Sequence, residues 1–291
     1  MSLAKDQQDP FIPEQLSSES WARLPVGLEG LISNQIVSVD LVQNPNMFID
    51  VSNCDGSILT HRLMVSALTR GHRVEYVGDE LDQILINQIE PWLSSLSRTF
   101  TETQTAIFRL LAEAQRREAL LVRYGKDSWR ELPDATRVTS DMRPITLFVE
   151  SLERFARVAD LEPALRGAKG IPEHNLLYWL GRLATKSART GIHLVLSSHL
   201  PYREYAPAFN DSITLRLLQL PWNALVAEQA VRNTCLTRPE DALFYSRSGE
   251  FAPAMVLAES STHTSAFQIG FVSHSKTLDD LSRICGAPEV E

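Results

Sequence analysis

The residues with the strongest claim to chemistry lie in one short polar stretch, Val51-Ser52-Asn53-Cys54-Asp55-Gly56-Ser57-Ile58. The β-prone run MFIDV at 47–51 leads into it, and Ile58, Leu59, Leu63, Val65 and Leu68 follow at near-helical spacing. A strand, a tight loop and a helix in that order can hold phosphate, because free backbone N–H groups and the positive end of the helix face the loop. Holding and hydrolysing ATP takes more. In the pattern GxxxxGK[ST] the lysine neutralises phosphate and the hydroxyl binds magnesium. Here Gly56 fits the second glycine, while Val51 stands for the first, Ser57 for the lysine and Ile58 for the hydroxyl. Asp55 adds a negative charge inside the loop. At ~4 Å and an effective dielectric of ~20, it repels one phosphate charge by roughly 4 kcal/mol before screening. A helix terminus returns only ~1 kcal/mol. The stretch has the place of a phosphate loop without its reactive groups, and taken alone it reads first as a polar strand-to-helix turn.

Other residues could do chemistry, each with a plainer alternative. Glu150 follows the apolar run ITLFV at 145–149 and could act as a base, or simply give a buried strand a polar end. Ser198 and His199 are adjacent, but neighbours at a strand end diverge and no acidic residue is evident to orient the histidine, so nucleophilic catalysis is not expected. His193, inside IHLVLS, reads as a core histidine with its hydrogen bonds met. Arg182, Lys186 and Arg189 fall at helical spacing on one face, which could meet a neighbouring subunit, DNA phosphates or only solvent. A denser basic stretch, Arg109, Arg116, Arg117, Arg123, Lys126 and Arg130, is interleaved with Glu102, Glu113, Glu118 and Glu131, so intrahelical pairing competes with phosphate contacts. Cys54, Cys235 and Cys285 are far apart with no CxxC or Cys/His spacing, which predicts no metal site and a reducing setting.

The elements that must position these groups can be read from periodicity. Strands are expected at 36–41 and 47–51 with Asn44-Pro45-Asn46 turning between them, then a helix over 57–70 stopped by Gly71, and a strand at 73–77. That is the opening of a βαβ unit. A long charged helix is expected over 101–123, ending near Gly125, and a further helix over 176–188. The runs at 145–149 and 192–197 are apolar throughout, as suits central parallel strands buried on both faces. A strand at 212–218, edge strands at 250–257 and 267–272 and a short helix from Leu278 complete a layered α/β plan with a mostly parallel sheet. Residues 1–24 read as a polar arm, 25–285 as the α/β domain and 286–291 as a tail. With 291 residues, 44% of them hydrophobic and 22% charged, the chain can bury a sizeable core. A net charge of -8 argues against a stand-alone nucleic-acid binder, though not against a ring with one basic face. No apolar run approaches the ~18 residues of a membrane span, and the polar start is unlike a signal peptide, so a cytoplasmic location is expected.

Four segments, in order, resemble the motor domains of FtsK/SpoIIIE-type DNA translocases. Residues 106–132, AIFRLLAEAQRREALLVRYGKDSWREL, resemble their Ala-Glu…Arg-Arg helix and the loop after it; 144–155, PITLFVESLERF, resemble the Walker B strand, which there ends in Asp-Glu. Residues 180–201, LGRLATKSARTGIHLVLSSHLP, resemble the helix, the Gly-Ile-His-Leu strand and the Ala-Thr-Gln-Arg-Pro after it, and 267–284 resemble the closing segment with Gly-Phe-Val-Ser. The resemblance spans roughly 25–285 and is most specific at 186–201. It implies a RecA-like three-layer P-loop NTPase fold. In this alignment the metal-binding Asp falls at Val149, Glu150 takes the place of the water-activating Glu, and the sensor Gln falls at His199 and its Arg at Leu200. A basic residue of the family falls at Ala188, with Arg189 one place away. Lysine, metal hydroxyl, metal Asp and sensor Gln are thus missing together, and phosphoryl transfer depends almost entirely on such groups. The resemblance therefore implies a non-hydrolysing domain with Glu150 vestigial, no cofactor, and a partnership in a homo- or hetero-oligomer with FtsK-like motor subunits. The alternatives are an active double-stranded DNA translocase using ATP and magnesium, or a component of a type VII secretion or conjugation apparatus.

Overall fold

The apolar runs at 145–149 and 192–197 lie side by side at the centre of a sheet. A computed structural model describes residues 20–28, 36–51, 57–78, 86, 88–155, 175–209, 211–219, 255–260, 264–269 and 281–283. The strands are β1 Arg23–Leu28, β2 Ile36–Asp40, β3 Asn46–Asp50, β4 Arg73–Val77 and β5 Ser95–Ser97, then β6 Ile145–Val149, β7 Ile192–Ser198, β8 Leu215–Gln219, β9 Met255–Ser260 and β10 Thr264–Ile269. They form one sheet in the order β2-β1-β10-β9-β8-β3-β7-β6-β4-β5. From β8 to β5 every pairing is parallel, which gives six parallel strands. The other four extend the sheet antiparallel beyond β8.

Helices α1 (Ser57–Thr69), α2 (Phe100–Tyr124) and α5 (Leu176–Ala184) cover the parallel part; shorter pieces are α3 (Asp134–Thr139), α4 (Leu152–Phe155), α6 (Ser187–Thr190) and α7 (Ala206–Phe209). Strand side chains alternate between faces, and two apolar cores result. Leu59, Leu63 and Met64 of α1 pack with Met47, Ile49, Val74, Phe148 and Val195. On the opposite face Ile107, Leu110 and Ala114 of α2 and Leu176, Leu180 and Leu183 of α5 pack with Phe48, Leu147, Val149, Leu194 and Leu196. Helix, sheet and helix make the three layers the sequence implied.

Local chemistry sets the helix ends. Thr99 caps α2 by accepting from the Glu102 amide, and the Glu102 carboxylate accepts from the Thr99 amide, a reciprocal capping box. Gly125, at φ 61°, ends the same helix in the left-handed conformation, as its position predicted. The expected single helix over 176–188 is instead two pieces, α5 and α6. Between them the Thr185 and Ser187 hydroxyls bond back to the Arg182 and Ala184 carbonyls, a competition that weakens a helix interior.

Three strand expectations need correction. Strands β1 and β5 were not foreseen, because β1 carries Pro25 and Gly27 and a register shift between them, and β5 is only three residues long. Strands β9 and β10 sit inside the sheet and not at its edge, because β1 and β2 pair beyond them. Of the expected strands at 250–257 and 267–272, residues 255–257 and 267–269 are strand, and 250–254 and 270–272 lie outside the described residues. Within the stretch read as an arm, Ala22 and Leu24 are buried. Of the helix expected from Leu278, only 281–283 is described, and it is helical. Residues 1–19, 270–280 and 284–291 lie outside the described residues, as do all three cysteines.

Candidate functional site

In a parallel sheet, ligands bind beyond the carboxyl ends of the strands, where the chain's crossovers change direction. Strand β3 leaves the sheet between β7 and β8, with β6 on the far side of β7. The candidate site is therefore the rim formed by the ends of β3, β7, β6 and β4. Of the site positions expected from the sequence, Val51, Val149, Glu150 and His199 belong to it.

At the end of β3, Val51 is buried and its amide donates to the Ser198 carbonyl at 3.0 Å. Ser52, Asn53, Cys54, Asp55 and Gly56 lie outside the described residues. Ser57 and Ile58 are described only as the backbone that begins α1. The acid beside the loop, Asp50, is 1% exposed and stands in register with Ser198.

At the end of β6, Val149 is 1% exposed and belongs to the apolar core under α2 and α5. Glu150 follows it, half-buried, and its amide donates to the Val77 carbonyl at 2.8 Å. The Glu150 carboxylate accepts a short hydrogen bond from the Tyr76 hydroxyl. The β4–β6 register explains the meeting: Tyr76 pairs with Phe148, so Glu150 is its diagonal neighbour on the same face. The Tyr76 hydroxyl also lies over the backbone of Gly78, where a Cβ would come within 2.4 Å of it, so a side chain at 78 would push the tyrosine off the carboxylate.

The end of β7 carries a denser network. Ser198 has no solvent exposure, and its hydroxyl donates to Glu153 at 2.6 Å. It accepts from the Leu200 amide at 2.9 Å and lies 2.9 Å from the Tyr205 hydroxyl, which fills its remaining hydrogen-bonding capacity. The same Glu153 oxygen takes the His199 amide at 3.3 Å. Burial pushes the Tyr205 phenol up to about 12, against the opposing effect of its bond to Ser198, so it stays a protonated donor. Glu153 reaches this position through Ser151, a serine at φ 53° that turns β6 into α4. A left-handed residue that is not glycine costs roughly 1–2 kcal/mol, and strain of this kind persists where surrounding contacts fix it. The side chain of His199 points away, exposed. The Ser-His pair thus has an acidic neighbour that the sequence did not reveal, but it binds the serine and the histidine backbone, and does not orient the imidazole.

The basic positions separate. Lys186 is tied by a short ion pair to Glu118 of α2, while Arg182 and Arg189 are exposed. Within α2 the acidic and basic residues do pair: Glu113 binds Arg116 and Arg117 at 2.6 and 2.7 Å. Burial works to raise the Glu113 carboxyl, but the bonds and charges of the two arginines outweigh it and hold it below its ordinary value. Arg117 is 1% exposed and also donates to the carbonyls of Thr190 and Arg143 at 2.9 and 2.7 Å. It fastens α2 to the strand starts.

At the opposite, amino ends of the strands, His193 is indeed a core histidine, but only half satisfied. Its Nδ1 bonds the Pro45 carbonyl at 3.2 Å, and its Nε2 has no partner. His72 is beside it, bonded through Nε2 to the Trp21 carbonyl and through Nδ1 to Thr146, each at 2.8 Å. Trp21 packs against both imidazoles and Trp129. Burial drives His72 down to about 4 and His193 to about 3.

No protein-family model matches the sequence, and no curated protein matches it. Solved structures do match by shape. The pCW3 conjugation coupling protein TcpA, in its monomer form with ATPγS, superposes with a TM-score of 0.67 at 14% identity, over 96% of this chain and 73% of that one. The cytoplasmic domain of the type VII secretion ATPase EccC of Thermomonospora curvata gives 0.60 at 16% identity, over 96% of this chain and 32% of that one. ATPases 2 and 3 of EssC from Geobacillus thermodenitrificans give 0.59 at 9% identity, over 98% and 51%. The chain therefore spans about a third to a half of the secretion proteins. Its fold, an α/β fold with six parallel strands, is that of P-loop ATPases and is similar to FtsK/SpoIIIE-like ATPases. Among the described residues no helix is long and apolar enough to cross a membrane.

Proposed function

We propose that this chain is a non-hydrolysing FtsK/SpoIIIE-like domain, a structural or regulatory partner of a DNA-translocation or secretion motor. The observation that carries the reading is Val149. Where the resemblance puts the metal-binding aspartate, a side chain 1% exposed is packed into an apolar core and offers no ligand. The neighbouring carboxylate, Glu150, is engaged by Tyr76. Magnesium in nucleotide sites is held by one or two protein oxygens together with substrate phosphates, and Val149 supplies no such oxygen. The donors present are a poor fit to magnesium-bound ATP. No step of phosphoryl transfer is assigned to them. Asp50 and Glu153 lie on the same rim, and in the sequence Asp55 falls in the stretch after β3. The purified protein is expected to show no ATPase above background and no ATP-dependent shift in melting temperature. Turnover that Glu150→Gln abolishes would overturn the reading.

The partnership is supported by the fold, since domains of this shape occur within larger conjugation and secretion ATPases. A cytoplasmic location and a homo- or hetero-oligomer with motor subunits belong to the same reading, with exposed Arg182 and Arg189 as contacts to a neighbour or to DNA. A protein-binding role in a secretion or conjugation apparatus has one specific support: EccC ATPases 2 and 3 are known in complex with a signal sequence peptide. Sedimentation of the chain with a purified FtsK-like motor subunit from the same organism, with and without duplex DNA, separates these roles.

A further inference from the structure

Resting on the reading of the strand ends as a site without nucleotide, we propose that Glu153 is a built-in anion that holds the loop after β7 in place of a bound phosphate. The end of β7 and the loop after it present two donors: the buried Ser198 hydroxyl and the His199 amide. Both converge on a single oxygen of Glu153, at 2.6 and 3.3 Å. Donors that converge on one oxygen in this way hold an anion. Here the anion is supplied by the chain from α4.

Three features make the contact more than a passing surface bond. Ser198 is fully buried, so its hydroxyl cannot exchange the carboxylate for water without moving the strand end. Tyr205 and the Leu200 amide occupy the serine's acceptor sites, which leaves its one proton for Glu153. The left-handed turn at Ser151 carries α4 back over the rim and presents Glu153 to β7. A phosphate approaching the same donors would have to displace a carboxylate already bonded to them. The loop is thereby ordered without a ligand, and Glu153 is a positioning residue for it.

Amide exchange by NMR tests this on the intact chain. In Glu153→Ala the His199 and Leu200 amides are expected to exchange roughly tenfold faster, the effect of losing one charge-assisted bond. Added formate, a small carboxylate, should return their protection toward that of the wild type, whereas neutral formamide should not. Glu153→Gln, which keeps size and one acceptor but no charge, covers the case in which the alanine variant fails to fold, and should exchange roughly threefold faster at the same amides. Unchanged exchange in either variant, or equal rescue by formamide, would overturn the proposal. ATP hydrolysis by the wild type would sink the functional reading above while leaving this exchange result standing, so the two failures are distinct.

Discussion

Lowering the pH from 7 to 5 should cost this protein a large share of its stability through two histidines. His72 and His193 are buried at the amino ends of the sheet, within 6.2 Å of each other by ring centroid. Burial is the leading cause that lowers both, to about 4 and about 3 from the ordinary 6.5. For His193, the neighbouring His72 and the Arg117 and Arg130 charges add to it; for His72, Arg70 adds while the bond to the Trp21 carbonyl opposes. Both imidazoles are therefore neutral in the folded chain at pH 5, while in the unfolded chain both take a proton below about pH 6.5. Because the unfolded state binds more protons, stability falls as pH falls, from about 6.5 until the folded values near 4 and 3 are reached. At pH 5 each group lies about 1.5 units below the unfolded value, worth about 2 kcal/mol, so the pair costs roughly 4 kcal/mol. Domains have only about 5–15 kcal/mol to lose. Urea unfolding between pH 7 and 5 should show a slope approaching two protons in the lower half of that range. His193→Phe should halve the slope, whatever it costs at pH 7 through the lost bond to Pro45. A stability that stays flat down to pH 5, or a slope that survives the substitution intact, would refute the burial argument.

Three further substitutions set buried positions against an exposed one. Val149→Asp puts a carboxylate at a position 1% exposed among apolar neighbours; the expected result is a loss of about 3–5 kcal/mol, seen in thermal melting, with no ATPase gained. Arg117→Leu should cost about 3–5 kcal/mol, because it strips the buried Thr190 carbonyl and the Arg143 carbonyl of a charged donor and removes part of the pairing of Glu113. Arg116→Leu, on a side chain 42% exposed, should cost about 1 kcal/mol or less, and chemical denaturation compares the two directly.

Much of the fold was legible because burial on both faces leaves a plain mark. The runs that became β6 and β7, and the strand-helix-strand order of β3, α1 and β4, follow from hydropathy and from Gly71 and Gly125 as stops. The antiparallel extension was less legible. Strand β1 contains a proline and a glycine and pairs with β10, more than two hundred residues later in the chain, and local pattern carries no trace of that. The site divides the same way. Glu150, Ser198 and His199 were visible as residues at strand ends. Their partners were not: Tyr76 and Glu150 are 74 residues apart, and Ser198 and Glu153 are 45 apart. Only the order β7-β6-β4 brings these pairs together.

The same geometry explains how a fold can persist beside an altered rim. Arg117 and Glu113 belong to one of the helix segments that resemble the translocase motors, yet their part in the structure is mechanical. Arg117, held by Glu113, binds the end of α6 and the start of β6 at the amino ends of the strands. Such contacts fix strand order and helix placement, and they lie across the sheet from the rim. The rim contacts, Tyr76 with Glu150 and Ser198 with Glu153, are made at the carboxyl ends and add nothing to strand order. Substituting the rim therefore leaves the sheet standing. That independence fits shape agreement with ATPases at 9–16% identity, and it makes the rim, where Tyr76 binds Glu150 and Glu153 binds Ser198, the place to test the proposed loss of hydrolysis.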